Sequence, residues 1–213
     1  MKYKIFNVLP EYATNTYLIW DDKTKAGIII DPAAPDPKLL TAIDKQNIEL
    51  KYIINTHGHA DHIGGNQLIK EKTGAVLAIH AADNEMLKNP QSNLSSLIDF
   101  DLVSPAADLL LEDKQTLKFG EQEIKVMHTP GHTRGSISLL ISDYLFSGDT
   151  LFAGSMGRTD LPGGNHQQII SSIKNKIFKL PEDVTVLPGH GEKTSVAKEK
   201  LENPYVGIIS NYT

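Results

Sequence analysis

Thr56-His57-Gly58-His59-Ala60-Asp61-His62 follows the apolar run Tyr52-Ile53-Ile54 and decides how the rest of the chain is read. Three imidazoles and one carboxylate stand within the six residues from His57 to His62. Side chains this polar, at the end of a β-rich run, do not fill a core. Imidazole nitrogen and carboxylate oxygen are donors that suit zinc, and also iron and manganese. His57 and His59 alternate along an extended segment and can point the same way. Asp61 and His62 fall where the segment turns into a helix, so they can face a neighbouring position. The bland alternative is a histidine-rich surface loop.

Three later positions weigh against that alternative. His132 lies in Thr129-Pro130-Gly131-His132-Thr133, Asp149 in Phe146-Ser147-Gly148-Asp149-Thr150, and His190 in Pro188-Gly189-His190-Gly191. Each follows an apolar run and sits beside glycine, the setting of a side chain projected from a loop at the end of a buried strand. Seven donors are too many for one tetrahedral site and suit two ions that share a carboxylate. One division gives His57, His59 and His132 to the first ion, Asp61, His62 and His190 to the second, and Asp149 to both. Two divalent ions about 3.5–4 Å apart hold a water and lower its pKa enough to leave hydroxide at neutral pH. Asp61 is in addition read as the catalytic residue that orients this bridging hydroxide. Two dications, two carboxylates and one hydroxide leave a formal charge of about +1, which favours attack on the carbonyl of an anionic substrate. A thiolate leaving group, with a pKa of about 8.5, departs without strong acid help.

The 213 residues suit one domain or two small ones. Hydrophobic residues make up 40% and charged residues 22%, an ordinary globular balance. A net charge of −5 argues against nucleic-acid or membrane-surface partners and leaves a small-molecule substrate as the expectation. No stretch approaches the length of a bilayer span, and Pro10 and Glu11 interrupt any secretory core near the N-terminus. With no cysteine, a disulfide framework is impossible and metal donors must be N and O. A cytoplasmic location is the default.

Short β-rich runs at Tyr3–Val8, Thr16–Trp20 and Ile28–Ile30 predict an opening meander. Asp36 caps a helix that starts at Pro37 and buries Leu39, Leu40 and Ile43. A strand at Ile53–Ile54 leads into the histidine motif. A helix over 65–72, a strand over Ala75–Ile79 and a helix over Ala82–Leu87 follow. Residues 89–107 read as an irregular crossover with a short helix near Leu94–Ile98. Further strands are expected at Leu109–Leu111, Leu117–Phe119, Ile124–Met127, Ile137–Ile141, Tyr144–Phe146 and Val184–Leu187. A glycine-rich loop spans Gly154–Gly164. Asn165 caps a helix carrying Ile169, Ile170, Ile173 and Ile177, and Ser195 caps a last helix to about Glu202. The plan suggests an α/β fold of two sheets packed face to face, with helices outside.

The motif HGHADH at 57–62, followed by His132, Asp149 and His190, resembles the metallo-β-lactamase superfamily along nearly the whole chain. Gly154-Ser155-Met156-Gly157-Arg158-Thr159-Asp160-Leu161-Pro162-Gly163-Gly164 and Asn203-Pro204-Tyr205 are similar to the short, single-domain glyoxalase II-like hydrolases. The resemblance implies an αββα sandwich of two mixed sheets and one domain over 1–213. It also implies two divalent ions, zinc or else iron or manganese, and hydrolysis of S-2-hydroxyacylglutathione thioesters such as S-lactoylglutathione. The chain departs from full-length glyoxalase II in two respects. It ends soon after its last predicted helix, without the helical domain whose basic residues grip glutathione. Glu192 also stands where a tyrosine is expected two residues past the last metal histidine. Another low-molecular-weight thiol could serve instead.

Asp31, at the end of Ile28-Ile29-Ile30, is expected either to support the metal loop or to close a plain turn. Thr129, Thr133 and Ser136 flank His132 and either orient it or shape its turn. Arg158 and Asp160 either line a substrate mouth or pair with each other. His80, His128 and His166 are left outside the site. Four other functions fit parts of the pattern. A persulfide dioxygenase would use one iron on His57, His132 and Asp149. A lactonase fits the donors, whereas the cysteine-using zinc β-lactamases do not. A nuclease is disfavoured by the acidic balance. A metal-binding module without turnover is the last alternative.

Overall fold

A computed structural model describes residues 1–98 and 101–209. Strands β1 (Lys2–Asn7), β2 (Asn15–Trp20), β3 (Ala26–Ile30), β4 (Glu49–Ile54), β5 (Val76–His80) and β6 (Leu109–Leu111) form the first sheet in that order. It is antiparallel from β1 to β3 and parallel from β3 to β6. Strands β7 (Thr116–Phe119), β8 (Gln122–His128), β9 (Ile137–Ile141) and β10 (Tyr144–Gly148) begin the second sheet. After a small hairpin of β11 (Leu151–Phe152) and β12 (Ser155–Met156), it is completed by β13 (Thr185–Pro188) and β14 (Thr194–Ser195), giving the order β14-β13-β10-β9-β8-β7. Both sheets are mixed, since β10 and β13 run parallel within an otherwise antiparallel second sheet.

Period-two alternation explains the layers. Tyr17, Ile19, Ile28, Ile30, Ile54 and Ala78 point from the first sheet into the space between the sheets, where they meet Phe119, Ile124, Val126, Leu139, Phe146 and Leu187. Their neighbours Leu18, Trp20, Ile29, Ile53 and Leu77 point outward, onto helices α1 (Pro37–Lys45) and α3 (Asn66–Thr73). On the opposite side Leu145 and Val186 face Ile169 and Ile173 of α4 (His166–Asn175) and Val196 of α5 (Val196–Glu202). Helices thus cover both outer faces, and each central strand is apolar on both sides, as parallel strands between two layers require. Asp36, Asn165 and Ser195 cap α1, α4 and α5 with side-chain acceptors.

The helix expected over Ala82–Leu87 is a 3-10 turn spanning Ala81–Leu87, opened by His80, whose Nδ1 accepts from the Ala82 amide. A separate short helix α2 (Ala60–Ile63) precedes α3. The chain is pinned between the two, where a Cβ on Gly64 would lie 2.4 Å from the Ala33 carbonyl oxygen. The expected loop Gly154–Gly164 contains β12, and Ile177 falls in a 3-10 turn, Ile177–Lys179, beyond the end of α4. In the crossover over 89–107, Ser95–Ile98 is a 3-10 turn, and residues 99 and 100 lie outside the described ones. Among the described residues no helix is long and apolar enough to cross a membrane.

Phe146 stands between the sheets, edge-on to Tyr17 at 5.0 Å. Phe146→Ala is expected to cost about 3–5 kcal/mol through lost burial and the cavity left behind. Denaturant titration would show a lowered midpoint at an unchanged slope.

Candidate metal centre

Loops after β4, β8, β10 and β13 meet at one edge of the sandwich. The Ile137 amide donates to the Thr56 carbonyl at 2.9 Å, which ties the two sheets together there. The loops bring all seven expected donors into one group, in which His57, His59, His62, His132 and Asp149 are buried and Asp61 and His190 half-buried. His59 Nδ1 lies 3.0 Å from His132 Nε2, and His62 Nε2 lies 3.2 Å from His190 Nε2. Asp149 Oδ2 stands 3.6 Å from His132 and 3.3 Å from His190, while its Oδ1 is 3.5 Å from His62. Asp61 Oδ2 lies 3.5 Å from His62 and 3.4 Å from His190.

These separations match the spacing of ligands around an ion. Two nitrogens bonded tetrahedrally to zinc at about 2.0–2.1 Å are about 3.3–3.4 Å apart. Among the described residues three sets are each close enough to hold a metal ion: His57, His59 and His132; His57, His62 and Asp149; Asp61, His62 and His190. His57 Nε2 and Asp149 Oδ1, both among the donors, are buried without a hydrogen-bond partner. A buried polar atom left unpaired costs about 1–3 kcal/mol, so a concentration of them at one place fits a cation. The donor set, all N and O, fits zinc, iron or manganese.

Three imidazoles are fixed from behind. His132 Nδ1 donates to the Arg158 carbonyl at 2.8 Å and His190 Nδ1 to the Tyr12 carbonyl at 2.8 Å. His62 Nδ1 donates to Asp31 Oδ2 at 3.0 Å. A carbonyl or carboxylate oxygen only accepts here, so each ring carries a proton on Nδ1 and turns Nε2 inward. Asp31 also accepts from the Thr56 amide at 2.7 Å and its hydroxyl at 2.6 Å. It does so from a left-handed backbone, φ +49°, unusual for a residue other than glycine.

The charge balance is local. Burial first, then the neighbouring imidazoles, push His57 well down and His59 down to about 3, so both are neutral and carry free lone pairs. For His62 burial also pulls downward, but Asp61, Asp149 and Asp31 outweigh it and raise the ring to about 10. Burial opposes the ionised form of Asp149, yet His62, His190 and His132 hold its carboxyl far below the usual range. A cation held here would displace the Nε2 proton that the carboxylates otherwise keep on His62.

Other expected residues fall outside the donor group. Ser136 Oγ accepts from the Thr133 amide at 3.0 Å, and Thr129 Oγ1 pairs with Ser138 and Thr150. These hydroxyls shape the loop and do not bond the His132 ring. Arg158 and Asp160 form an exposed, two-pronged ion pair at 2.8 and 2.7 Å. The Arg158 guanidinium is thereby committed, and its carbonyl is what reaches the site. His128 stacks on His80 at 4.1 Å, His166 is exposed, and so is Glu192. The sequence reading missed Tyr12, Thr14, Asn15 and Asp83. Thr14 Oγ1 donates to Asp61 Oδ2 at 3.2 Å, and Asn15 Nδ2 clamps the carbonyls of Pro188 and Gly191 at 3.0 and 2.9 Å. Asp83 is buried and accepts from Gly58, Thr133 and Gly135. The Thr14-Asn15 pair offered no pattern, and Asp83 reads as an ordinary acid in a first helical turn.

Gly189 touches the donors directly: a Cβ there would lie 2.2 Å from Asp149 Oδ1 and 2.9 Å from His62 Cε1. Gly189→Ala is expected to keep the far-ultraviolet circular dichroism of the fold and lose at least one equivalent of bound metal in equilibrium dialysis. Full metal content in that variant would contradict the packing described.

Residues 9–190 match the family model of the metallo-beta-lactamase superfamily. The chain is 34% identical over 213 residues to a probable metallo-hydrolase, YqgX, of Bacillus subtilis, covering 99% of this chain and 100% of the relative. It is 32% identical over 204 residues to the hydroxyacylglutathione hydrolase GloC of Haemophilus influenzae, covering 93% and 95% of the two chains. Among solved structures, the BLEG-1 B3 metallo-beta-lactamase superposes with a TM-score of 0.91 at 35% identity, covering 96% of this chain and 99% of that one. A di-iron-bound form of TTHA1623 superposes with a TM-score of 0.83 at 28% identity, covering 94% and 98%. The seven-donor edge of a two-sheet sandwich and these likenesses agree, and the chain belongs to the metallo-beta-lactamase superfamily.

Proposed function

We propose that this chain is a dinuclear metallo-hydrolase of thioesters, with S-2-hydroxyacylglutathiones such as S-lactoylglutathione as the substrate class. The observation that carries the reading is Asp149, whose two oxygens face imidazoles of both donor halves. In this reading His57, His59 and His132 would hold one ion, Asp61, His62 and His190 would hold the other, and Asp149 would serve both. Bound divalent ions would supply hydroxide at neutral pH and an electrophile for the charge developing on a carbonyl oxygen.

The chain's own residues do the rest. Thr14 fixes Asp61 Oδ2, and the Asp61 carboxylate is placed to orient the attacking water. The hydroxyls nearest the donors are engaged: Thr56 Oγ1 with Asp31, Thr133 Oγ1 with Asp83 and Ser136. None is left as a nucleophile, and the chain has no cysteine. Among the described residues no ammonium or guanidinium is paired with a donor, so a leaving group that needs no proton, a thiolate with pKa of about 8.5, suits the site. Phe152, with its ring 6.0 Å from His190, is an apolar wall beside the second half. The relative named hydroxyacylglutathione hydrolase supports the thioester class. Zinc is the proposed metal, and the di-iron-bound neighbour keeps iron in the test. The substrate is a small molecule, 1–213 acts as one domain, and the protein works in the cytoplasm.

The purified protein, with its metal measured, would be assayed on S-lactoylglutathione beside lactone and persulfide substrates. Near two equivalents of metal with thioester turnover is expected. One iron with oxygen uptake on a persulfide would replace this reading. Asp149→Ala is expected to lose both ions and to lower kcat/KM by about 10²-fold or more, since even residues that only orient ligands cost 10–100-fold. His190→Ala is expected to loosen one ion preferentially.

A further inference from the structure

We infer that Asp83 is the positioning residue of the His57–His59–His132 half of the centre and has no part in holding the Asp61–His62–His190 half. The inference rests on the dinuclear reading above and adds a division of labour within it.

His57 and His59 follow β4 of the first sheet, and His132 follows β8 of the second, yet His59 and His132 approach to 3.0 Å. Some group must hold the two loops together. Asp83 touches both. Its Oδ2 accepts from the Gly58 amide, between the two histidines, at 3.2 Å, and from the Thr133 hydroxyl, next to His132, at 2.6 Å. Its Oδ1 accepts from the Gly135 amide at 2.7 Å. The carboxylate is 1% exposed, so these neutral donors replace water around it. Burial raises its carboxyl in spite of them.

The packing repeats the hydrogen bonds. A Cβ on Gly58 would lie 2.5 Å from Met86 Cβ, and one on Gly135 would lie 2.6 Å from Asp83 Cγ. Both loops therefore close onto the 3-10 turn Ala81–Leu87, with no side chain between. That turn is a third wall against which the first donor set is aligned.

The other half is held by different groups. His62 bonds Asp31, His190 bonds the Tyr12 carbonyl, and Asp61 bonds Thr14. Asp83 makes none of these contacts. An asparagine at position 83 would keep the shape but turn an N–H toward an N–H donor on one side, which unseats one loop from the other.

Metal-free protein would be titrated with Co(II), following its absorption and competition by a chelator. The spectra of His59→Ala and His190→Ala identify which ion belongs to which half. Asp83→Asn is expected to weaken the ion lost in His59→Ala by about 10–100-fold, the usual effect of removing a group that orients ligands. The ion lost in His190→Ala should keep its wild-type affinity. Thr133→Val, which removes one of the three bonds, should weaken the same ion to a smaller degree and decides the matter if the asparagine variant does not fold. Equal weakening of both ions, or of neither, overturns the role of Asp83 and leaves the dinuclear reading standing. Wild-type protein that binds fewer than two ions overturns the dinuclear reading itself, and with it this inference.

Discussion

Ring nitrogens held 3.0 and 3.2 Å apart need a proton or a metal cation between them. The structure around them is organised to keep them that close. Four loops end at one edge of the sandwich, and each is tied to a neighbour by bonds that do not involve the inward-facing atoms. The sheets supply stiffness, because close-packed apolar layers resist the small shifts that would relax the crowding. A looser frame would let the rings turn away, and the donor group would fall apart into ordinary surface histidines.

Support from behind divides into two kinds. Asp31 reaches a ring directly and also fixes the first residue of the motif, Thr56, from a left-handed backbone that few residues tolerate. Strain of this order persists only where surrounding contacts over-determine it. Asp83 works on loops, not rings, by collecting amides and a hydroxyl from two sheets. Each carboxylate takes the place of water for groups that would otherwise be buried unpaired.

Much of this was legible in the sequence, for identifiable reasons. Apolar runs and caps such as Asp36, Asn165 and Ser195 mark elements through local chemistry, and local chemistry governs them in the folded chain. The seven donors stood out because polar residues at strand ends, beside glycine, break the pattern of a core. What stayed hidden depends on contacts between distant segments. The 3-10 geometry of Ala81–Leu87 follows from packing on Gly58 and Gly135, which no periodicity in that segment records. Asp83, Thr14 and Asn15 draw their meaning from partners up to 176 positions away. The hairpin of β11 and β12 is too short to carry a period of its own.

His132 and His190 are steered by the carbonyl oxygens of Arg158 and Tyr12. Every amino acid has that atom, so the exposed side chains at these two positions are free to vary without retuning the donors. Selection can rewrite these two surface positions, exchanging a charge for a ring or a ring for a hydroxyl, while the imidazoles behind them keep their orientation. A chain built this way can change its diet without rebuilding its chemistry.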